Sequence, residues 1–281
     1  MKSVLVWEPT IKTVELPSGP RLRYVEQGDA SGIPVVLLHG YSDSWRSFER
    51  VLPLLPSSIR AIAVTQRGHG DSDRPMAGYR PQDFAADLAA TMDHLGLESA
   101  IIAGHSMGAT VAQRFALDYP ERCAGLLLMS GFMAWRDNAT LVAFWHEAIA
   151  PLRDPILPAF VREFQESTLA RPVPPAFLDR IVRESLKLPA RVWQAAFEAF
   201  LLDDTAGRLA EIAAPTLILW GQRDAFCLQR EQEALAGSIP DARLVIVPGA
   251  GHGLHWEQPM QFVIELLHFV AEQRAALRGA A

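Results

Sequence analysis

The feature that most limits what this chain can fold into is a set of short apolar runs that do not alternate. Pro34-Val35-Val36-Leu37-Leu38 is continuous, and Ile59–Val64, Ala100–Ala103, Gly125–Met129 and Pro215–Trp220 share its character. A strand with one wet face alternates polar and apolar residues. A run without alternation fits a strand covered on both faces. Helical patterns lie between the runs: Trp45–Leu55 closed by Pro56, Gln82–Leu95 closed by Gly96, and about Met107 to Asp118 before Pro120. Thr13–Leu16 and Leu22–Gln27 flank a Pro-Ser-Gly-Pro turn and predict a hairpin. Strands alternating with helices predict an α/β fold, a mostly parallel sheet wrapped on both faces.

The rhythm breaks from Phe132 to Arg208. No strand is predicted there, and Trp, Phe and Pro are frequent: Trp135, Phe144, Trp145, Phe160, Phe164, Phe177, Trp193, Phe197 and Phe200, with prolines at 151, 155, 158, 172, 174 and 175. The rhythm resumes with Pro215–Trp220, a helix over Leu228–Ala236, a strand over Arg243–Val247 and a last helix over about Gln258–Gln273. The expectation is a core of residues 1–131 and 209–281 carrying an all-helical insertion, 132–208.

With 49% hydrophobic residues the 281-residue chain can bury a sizeable core, which excludes global disorder. A net charge of −6 argues against nucleic-acid binding, which needs a basic face. Two cysteines, Cys123 and Cys227, are too few and too far apart for a disulfide scaffold, and a reducing cytoplasm is the expected location. The apolar run Val4–Trp7 is too short for a signal-peptide core, and no stretch reaches the roughly 18 apolar residues of a membrane span.

Gly104-His105-Ser106-Met107-Gly108 fits Gly-x-Ser-x-Gly, with an apolar strand before it and a helix after it. A serine on a sharp strand-to-helix turn sits in strained backbone, so its neighbours two positions away must be small. A serine hydroxyl needs a base, and the base needs a group to hold its tautomer. Pro215–Trp220 leads to Asp224, and Arg243–Val247 leads to His252, both in loops beyond strand carboxyl ends. Those ends share one edge of a parallel sheet, where sites form. The catalytic candidates are therefore Ser106, Asp224 and His252. The N–H of Met107 and that of Tyr41, in the loop after Pro34–Leu38, are the expected oxyanion donors. His39 reads as structural.

His39-Gly40-Tyr41, Arg67-Gly68-His69-Gly70-Asp71-Ser72, Gly104–Gly108, Asp224 and Gly251-His252 together resemble the α/β-hydrolase superfamily. The resemblance covers nearly all of the core. It leaves out the insertion, which stands where that family carries a helical cap. It implies an eight-stranded, mostly parallel sheet with the site beneath the cap. Epoxide hydrolases and haloalkane dehalogenases of that family use an aspartate nucleophile, where this chain has Ser106. Ring-cleavage carbon–carbon hydrolases typically read Asn-Ser-Met-Gly-Gly at the elbow, with Trp after the catalytic His. Here His105, Ala109 and Gly253 stand at those positions.

The resulting expectation is a capped serine hydrolase of carboxylic esters or lactones, acting through an acyl-enzyme on small, moderately hydrophobic substrates. Tyr41, Phe132, Trp135 and Trp145 are the expected substrate contacts. No cofactor, metal, nucleic acid or membrane is expected, and the chain is a monomer or homodimer. The alternatives are a carbon–carbon hydrolase, a cofactor-free perhydrolase, or a non-catalytic receptor on the same scaffold. Cys227 is read as packing, and His255 as shaping the start of the last helix. Asp83 and Asp87 are read as a solvated helix face, and Arg67 and His69 as structural.

Overall fold

The computed structural model describes residues 9–17 and 19–279, so Val4–Trp7 lies outside the described residues. Strands β1 (Ile11–Glu15), β2 (Arg21–Gln27), β3 (Ile33–Leu38), β4 (Ile59–Thr65), β5 (Ala100–His105), β6 (Cys123–Met129), β7 (Thr216–Gly221) and β8 (Ala242–Val247) form one sheet. Its order is β1-β2-β4-β3-β5-β6-β7-β8. The β1–β2 and β2–β4 pairs are antiparallel and all others parallel. The expected α/β sheet and the hairpin are both present.

The apolar runs do not alternate because each side chain meets one of two cores. Val36, Leu38, Ile102, Leu126, Leu128 and Ile218 pack on one face. Val35, Leu37, Ile101, Leu127, Leu217 and Leu219 pack on the other. Helices α1 (Pro81–His94) and α2 (Met107–Asp118) cover the first face through Phe84, Leu88, Val111 and Phe115. Between β6 and β7 the chain forms α3 (Ala139–Phe144), a π turn (Trp145–Ile149), α4 (Pro158–Ser167), α5 (Pro175–Ser185) and α6 (Ala190–Leu201). After β7 come α7 (Gln229–Ser238), the short α8 (Leu254–Glu257) and α9 (Pro259–Gly279). Helix α9 covers the second face with Phe262, Leu266 and Phe269. Among the described residues no helix is long and apolar enough to cross a membrane.

Register aligns the strand ends. Leu38 pairs with Gly104, His105 with Met129, Met129 with Leu219, and Gly221 with Val247. The loops bearing Tyr41, Ser106, Asp224 and His252 therefore leave the sheet along one edge.

Two expectations are corrected. Trp45–Leu55 is not one helix but two 3-10 turns, Trp45–Phe48 and Leu52–Leu54. Its hydrogen bonds span three residues, as from Val51 N to Phe48 O and from Leu54 N to Val51 O. Pro53 has no N–H to give, and the buried Trp45, Phe48 and Val51 recur every three residues, which suits the tighter turn. Asp87 is not on a solvated face. It is 3% exposed and takes two hydrogen bonds from Arg67, at 2.6 and 2.5 Å. Arg67 also donates to Gly78 O, which ties the β4–α1 connection to α1.

Removing one partner of a buried pair leaves the other charge uncompensated. Asp87→Ala should cost about 3–5 kcal/mol in urea unfolding. A loss below about 1 kcal/mol, the level of a surface pair, would show that the pair is not structural.

Candidate active site

The turn from β5 to α2 is built around Ser106, whose φ is 53° and ψ −113°. A serine there is strained and persists because its surroundings hold it. Its N–H donates to Met129 O at 2.9 Å, extending the β5–β6 ladder one step past the strand. The two glycines are dictated by contact. A Cβ on Gly104 would lie 2.1 Å from Gly108 O, and one on Gly108 would lie 2.3 Å from Leu38 O. Both obstacles are backbone and cannot turn away.

Past β8, His252 directs Nδ1–H at Asp224, 2.9 Å from Oδ2 and 3.1 Å from Oδ1. Asp224 also accepts the N–H groups of Phe226 (2.8 Å) and Cys227 (3.0 Å). Burial works to raise the Asp224 carboxyl. The imidazole, the Cys227 N–H and the Ser130 hydroxyl outweigh it and hold the carboxyl below its usual range. An anion at Nδ1 fixes the tautomer that leaves Nε2 as the acceptor.

Ser106, Asp224 and His252 are thus brought to one place. Ser106 and His252 line the same cavity. The bond from Ser106 Oγ to His252 Nε2 is not formed among the described contacts. Both residues line the cavity, Ser106 being 7% exposed and His252 5%. Such bonds commonly tighten only around substrate.

The backbone of His252 is held by a residue that sequence reasoning did not single out for a role. His105 Nε2–H donates to His252 O at 3.0 Å, and Ser130 Oγ donates to the same oxygen at 3.3 Å. Burial, with His252 adding to it, pushes His105 down to about 3, so its ring is neutral. His255 is pushed well below its ordinary value by burial, and its Nε2 lies 3.0 Å from Ser47 Oγ. His39 is locked structurally. Its Nε2 accepts from Gln66 N, and its Nδ1–H donates to Gly40 O.

The cavity measures about 30 Å³, room for about one water. Tyr41, Phe132 and Trp135 line it, as do Leu141, Phe144, Phe164, Thr168, Phe197 and Phe226. Phe226 was missed, although its place two residues after Asp224 was a usable signal. Trp145, an expected contact, does not line the cavity. Its ring stacks on Phe197 with centroids 6.0 Å apart and planes at 13°, because the π turn carries it behind the wall. Apart from Ser106, the lining hydroxyls have given their protons, Tyr41 OH donating to Trp193 O at 2.6 Å and Thr168 Oγ1 to Gln165 O at 2.7 Å. No lining residue is Arg or Lys. Met107 opens α2, and the first N–H of a helix has no partner within it. The Tyr41 N–H donates to no described backbone acceptor.

Cys227 lies closer to the chemistry than a packing residue need be. Its Sγ is 4.0 Å from His252 Nδ1 and 3.3 Å from Ser130 O. Burial pushes the thiol well above its ordinary value, so it stays protonated. Among the described residues, Asp224, Cys227 and His252 are the one group whose donor atoms cluster as metal ligands do. A cation there would have to displace the Asp224–His252 bond.

Asp43, in the Tyr41 loop, is fully enclosed. Burial, reinforced by Glu184, pushes its carboxyl up to about 7 despite hydrogen bonds from Gln165 and Ser47. The folded state then keeps a proton that the unfolded chain releases near pH 4, so stability falls as pH rises from about 4 to 7. Asp43→Asn removes this term. The melting temperature of the variant relative to wild type should rise between pH 5 and pH 8. A pH-independent difference would contradict the assignment.

Residues 33–259 match the profile of the alpha/beta hydrolase fold family. The chain is 31% identical over 264 residues to 2-hydroxy-6-oxononadienedioate/2-hydroxy-6-oxononatrienedioate hydrolase 2 of Pseudomonas putida, across 89% of this chain and 91% of that protein. Its fold superposes on an esterase from Rhodococcus sp. with a TM-score of 0.81 and 26% identity, covering 93% of this chain and 98% of that one. A bromoperoxidase from Bacillus anthracis gives a TM-score of 0.83 at 25% identity, covering 93% and 100%.

Proposed function

The chain belongs to the alpha/beta-hydrolase family, and on that footing we propose that it is a serine hydrolase of carboxylic esters or lactones. One observation carries the reading. His252, pinned by Asp224 through Nδ1, lines the same cavity as the strained Ser106.

In this reading His252 Nε2 takes the Ser106 proton as Oγ attacks the carbonyl carbon. The imidazolium that forms is stabilised by Asp224. Charge developing on the carbonyl oxygen is met by the N–H groups of Met107 and Tyr41. His252 then gives the proton to the leaving alcohol, which departs and leaves an acyl-Ser106. Water, deprotonated by the same imidazole, releases the acid and restores Ser106. Residues 132–208 act as a cap whose aromatic side chains exclude water from these steps.

The lining supports an uncharged, apolar substrate. Five Phe rings and Trp135 form most of the wall, and its hydroxyls of Tyr41 and Thr168 are already spent. The Pseudomonas putida relative favours a second reading, carbon–carbon hydrolysis. That relative is named for a dioate, whose two carboxylates need cationic partners when buried. The cavity here presents none, which supports the ester reading.

Purified protein should turn over p-nitrophenyl butyrate repeatedly. Ser106→Ala should lower kcat by at least about 10⁴-fold, and Asp224→Asn by about 10⁴-fold. A vinylogous diketone bearing two carboxylates should be a poor substrate. Ester turnover surviving in Ser106→Ala to within tenfold of wild type would overturn the reading.

A further inference from the structure

A buried polar knot joins the insertion to the loop that carries Tyr41. Gln165, on α4, is 1% exposed and reaches into the core. Its Nε2 lies 2.9 Å from Ser185 Oγ on α5, 3.1 Å from Asp43 Oδ1 and 3.2 Å from Ser42 Oγ. Ser42, Asp43 and Ser185 are buried as completely as Gln165. The directions of donation are fixed by the chemistry. Ser185 gives its proton to Ile181 O, and Ser42 can give its own to Ser185 Oγ. The amide of Gln165 is therefore the donor that both Ser185 and Asp43 need. Amide, hydroxyl and carboxyl groups are costly to bury without partners, so this arrangement holds its members in place.

The loop needs holding. Ser42 has a φ of 64°, a left-handed conformation that serine rarely adopts. It directly follows Tyr41, so holding the Ser42–Asp43 turn fixes the chain immediately beyond the residue whose N–H faces the oxyanion in this reading. Within the loop, Asp43 N donates to Gly40 O at 3.3 Å, His39 Nδ1–H to the same oxygen at 2.8 Å and Ser47 Oγ to Asp43 Oδ2 at 3.4 Å; Gln165 adds the tie that comes from the insertion.

We propose that Gln165 is a positioning residue, an amide sent from the insertion into the core to clamp the Ser42–Asp43 turn and so aim the Tyr41 N–H at the oxyanion. This rests on the ester-hydrolase reading, in which that N–H stabilises the tetrahedral intermediate. Gln165 does not line the cavity. It acts on the transition state and not on substrate binding, so its loss lowers kcat and leaves KM in place.

The test exchanges donor and acceptor without changing size. Gln165→Glu removes the N–H donor and sets a second carboxyl against Asp43. The double variant Asp43→Asn with Gln165→Glu restores one donor and one acceptor, with their positions reversed. With p-nitrophenyl butyrate, Gln165→Glu should lose about 10- to 100-fold in kcat, short of the roughly 10²–10³-fold cost of deleting an oxyanion donor outright. Its KM should stay within about threefold of wild type, and inhibition by phenylboronic acid, a tetrahedral mimic, should weaken in step with kcat. The double variant should recover most of kcat. An unchanged kcat in folded Gln165→Glu, a change confined to KM, or a double variant no better than the single one would each overturn the proposal. If Gln165→Glu does not fold, Gln165→Met gives the same comparison of kcat against KM.

Amide hydrogen exchange at residues 40–44 separates this proposal from the reading it rests on. Faster exchange in Gln165→Glu, reversed in the double variant, supports the clamp even if wild type shows no Ser106-dependent ester turnover, a result that would sink the ester reading alone. Equal exchange in all three proteins would overturn the clamp.

Discussion

The site depends on a close approach of backbone to backbone at the elbow. Ser106 sits at a φ of 53°, a placement that costs about 1–3 kcal/mol. Three strands enforce it. Ser106 N is bonded to Met129 O of β6, Gly108 lies against Leu38 O of β3, and Gly104 of β5 lies against Gly108 O. Because Leu38 pairs with Gly104 and His105 with Met129, the register that buries the sheet's apolar runs is also the register that holds the elbow. A slip of one residue would turn every strand inside out. The catalytic geometry is thus tied to the hydrophobic core and cannot drift from it.

Around that elbow the protein keeps imidazoles neutral. His105 lies 5.0 Å from His252 and 4.6 Å from His255, centroid to centroid. Burial drives both neighbours of the base toward the uncharged form, His105 down to about 3. A cation at either position would oppose the imidazolium that the proposed acyl transfer requires of His252. A neutral His105 instead donates its Nε2–H to His252 O, holding the backbone of the base without competing with its charge. Asp224, held anionic, is then the charge in direct contact with the base.

Much of this was legible in the residues. Non-alternating runs marked strands buried on both faces; Ser106 and Asp224 each follow such a run, and His252 follows the predicted strand Arg243–Val247, which is only half-buried. The direction of a parallel sheet places them together without any knowledge of side-chain contacts. What was not legible depends on which way a side chain faces. The apolar spacing of Trp45, Phe48 and Val51 fits a turn of 3.0 residues as well as one of 3.6, and only Pro53 favours the former. Asp87 looked solvated because its partner Arg67 lies 20 residues away. Trp145 and Phe144 are neighbours in a segment of uniform aromatic character, yet the π turn sends one to the cavity and the other behind it. Nothing in the sequence marks Gln165 or Asp43, and only their meeting across more than a hundred positions makes them a buried pair.

The insertion is held unevenly, and that bears on how a ligand could enter so narrow a cavity. The end of α4 is tied by polar bonds to both catalytic loops. Gln165 reaches the Ser42–Asp43 turn, and Thr168 O accepts Gly253 N beside His252. Glu257 accepts both Ala170 N and Gly251 N, and Arg171 donates to Gly249 O. Moving this segment would break several buried hydrogen bonds at once. The α3–π-turn stretch is anchored differently. Asn138 fixes its start, donating to Phe226 O, and Gln194 fixes its end, donating to Ala150 O and Leu152 O. Between those anchors it meets the cavity wall through aromatic contact, Phe144 on Phe164 and Trp145 on Phe197. Stacked rings can slide or change rotamer without stranding a polar group, so added room in the cavity opens most cheaply there. One side of the insertion keeps the Tyr41 and His252 loops in register while the other is held by ring contacts, so under the proposed function a closed, dry site could admit a ligand without disturbing the Asp224–His252 arrangement.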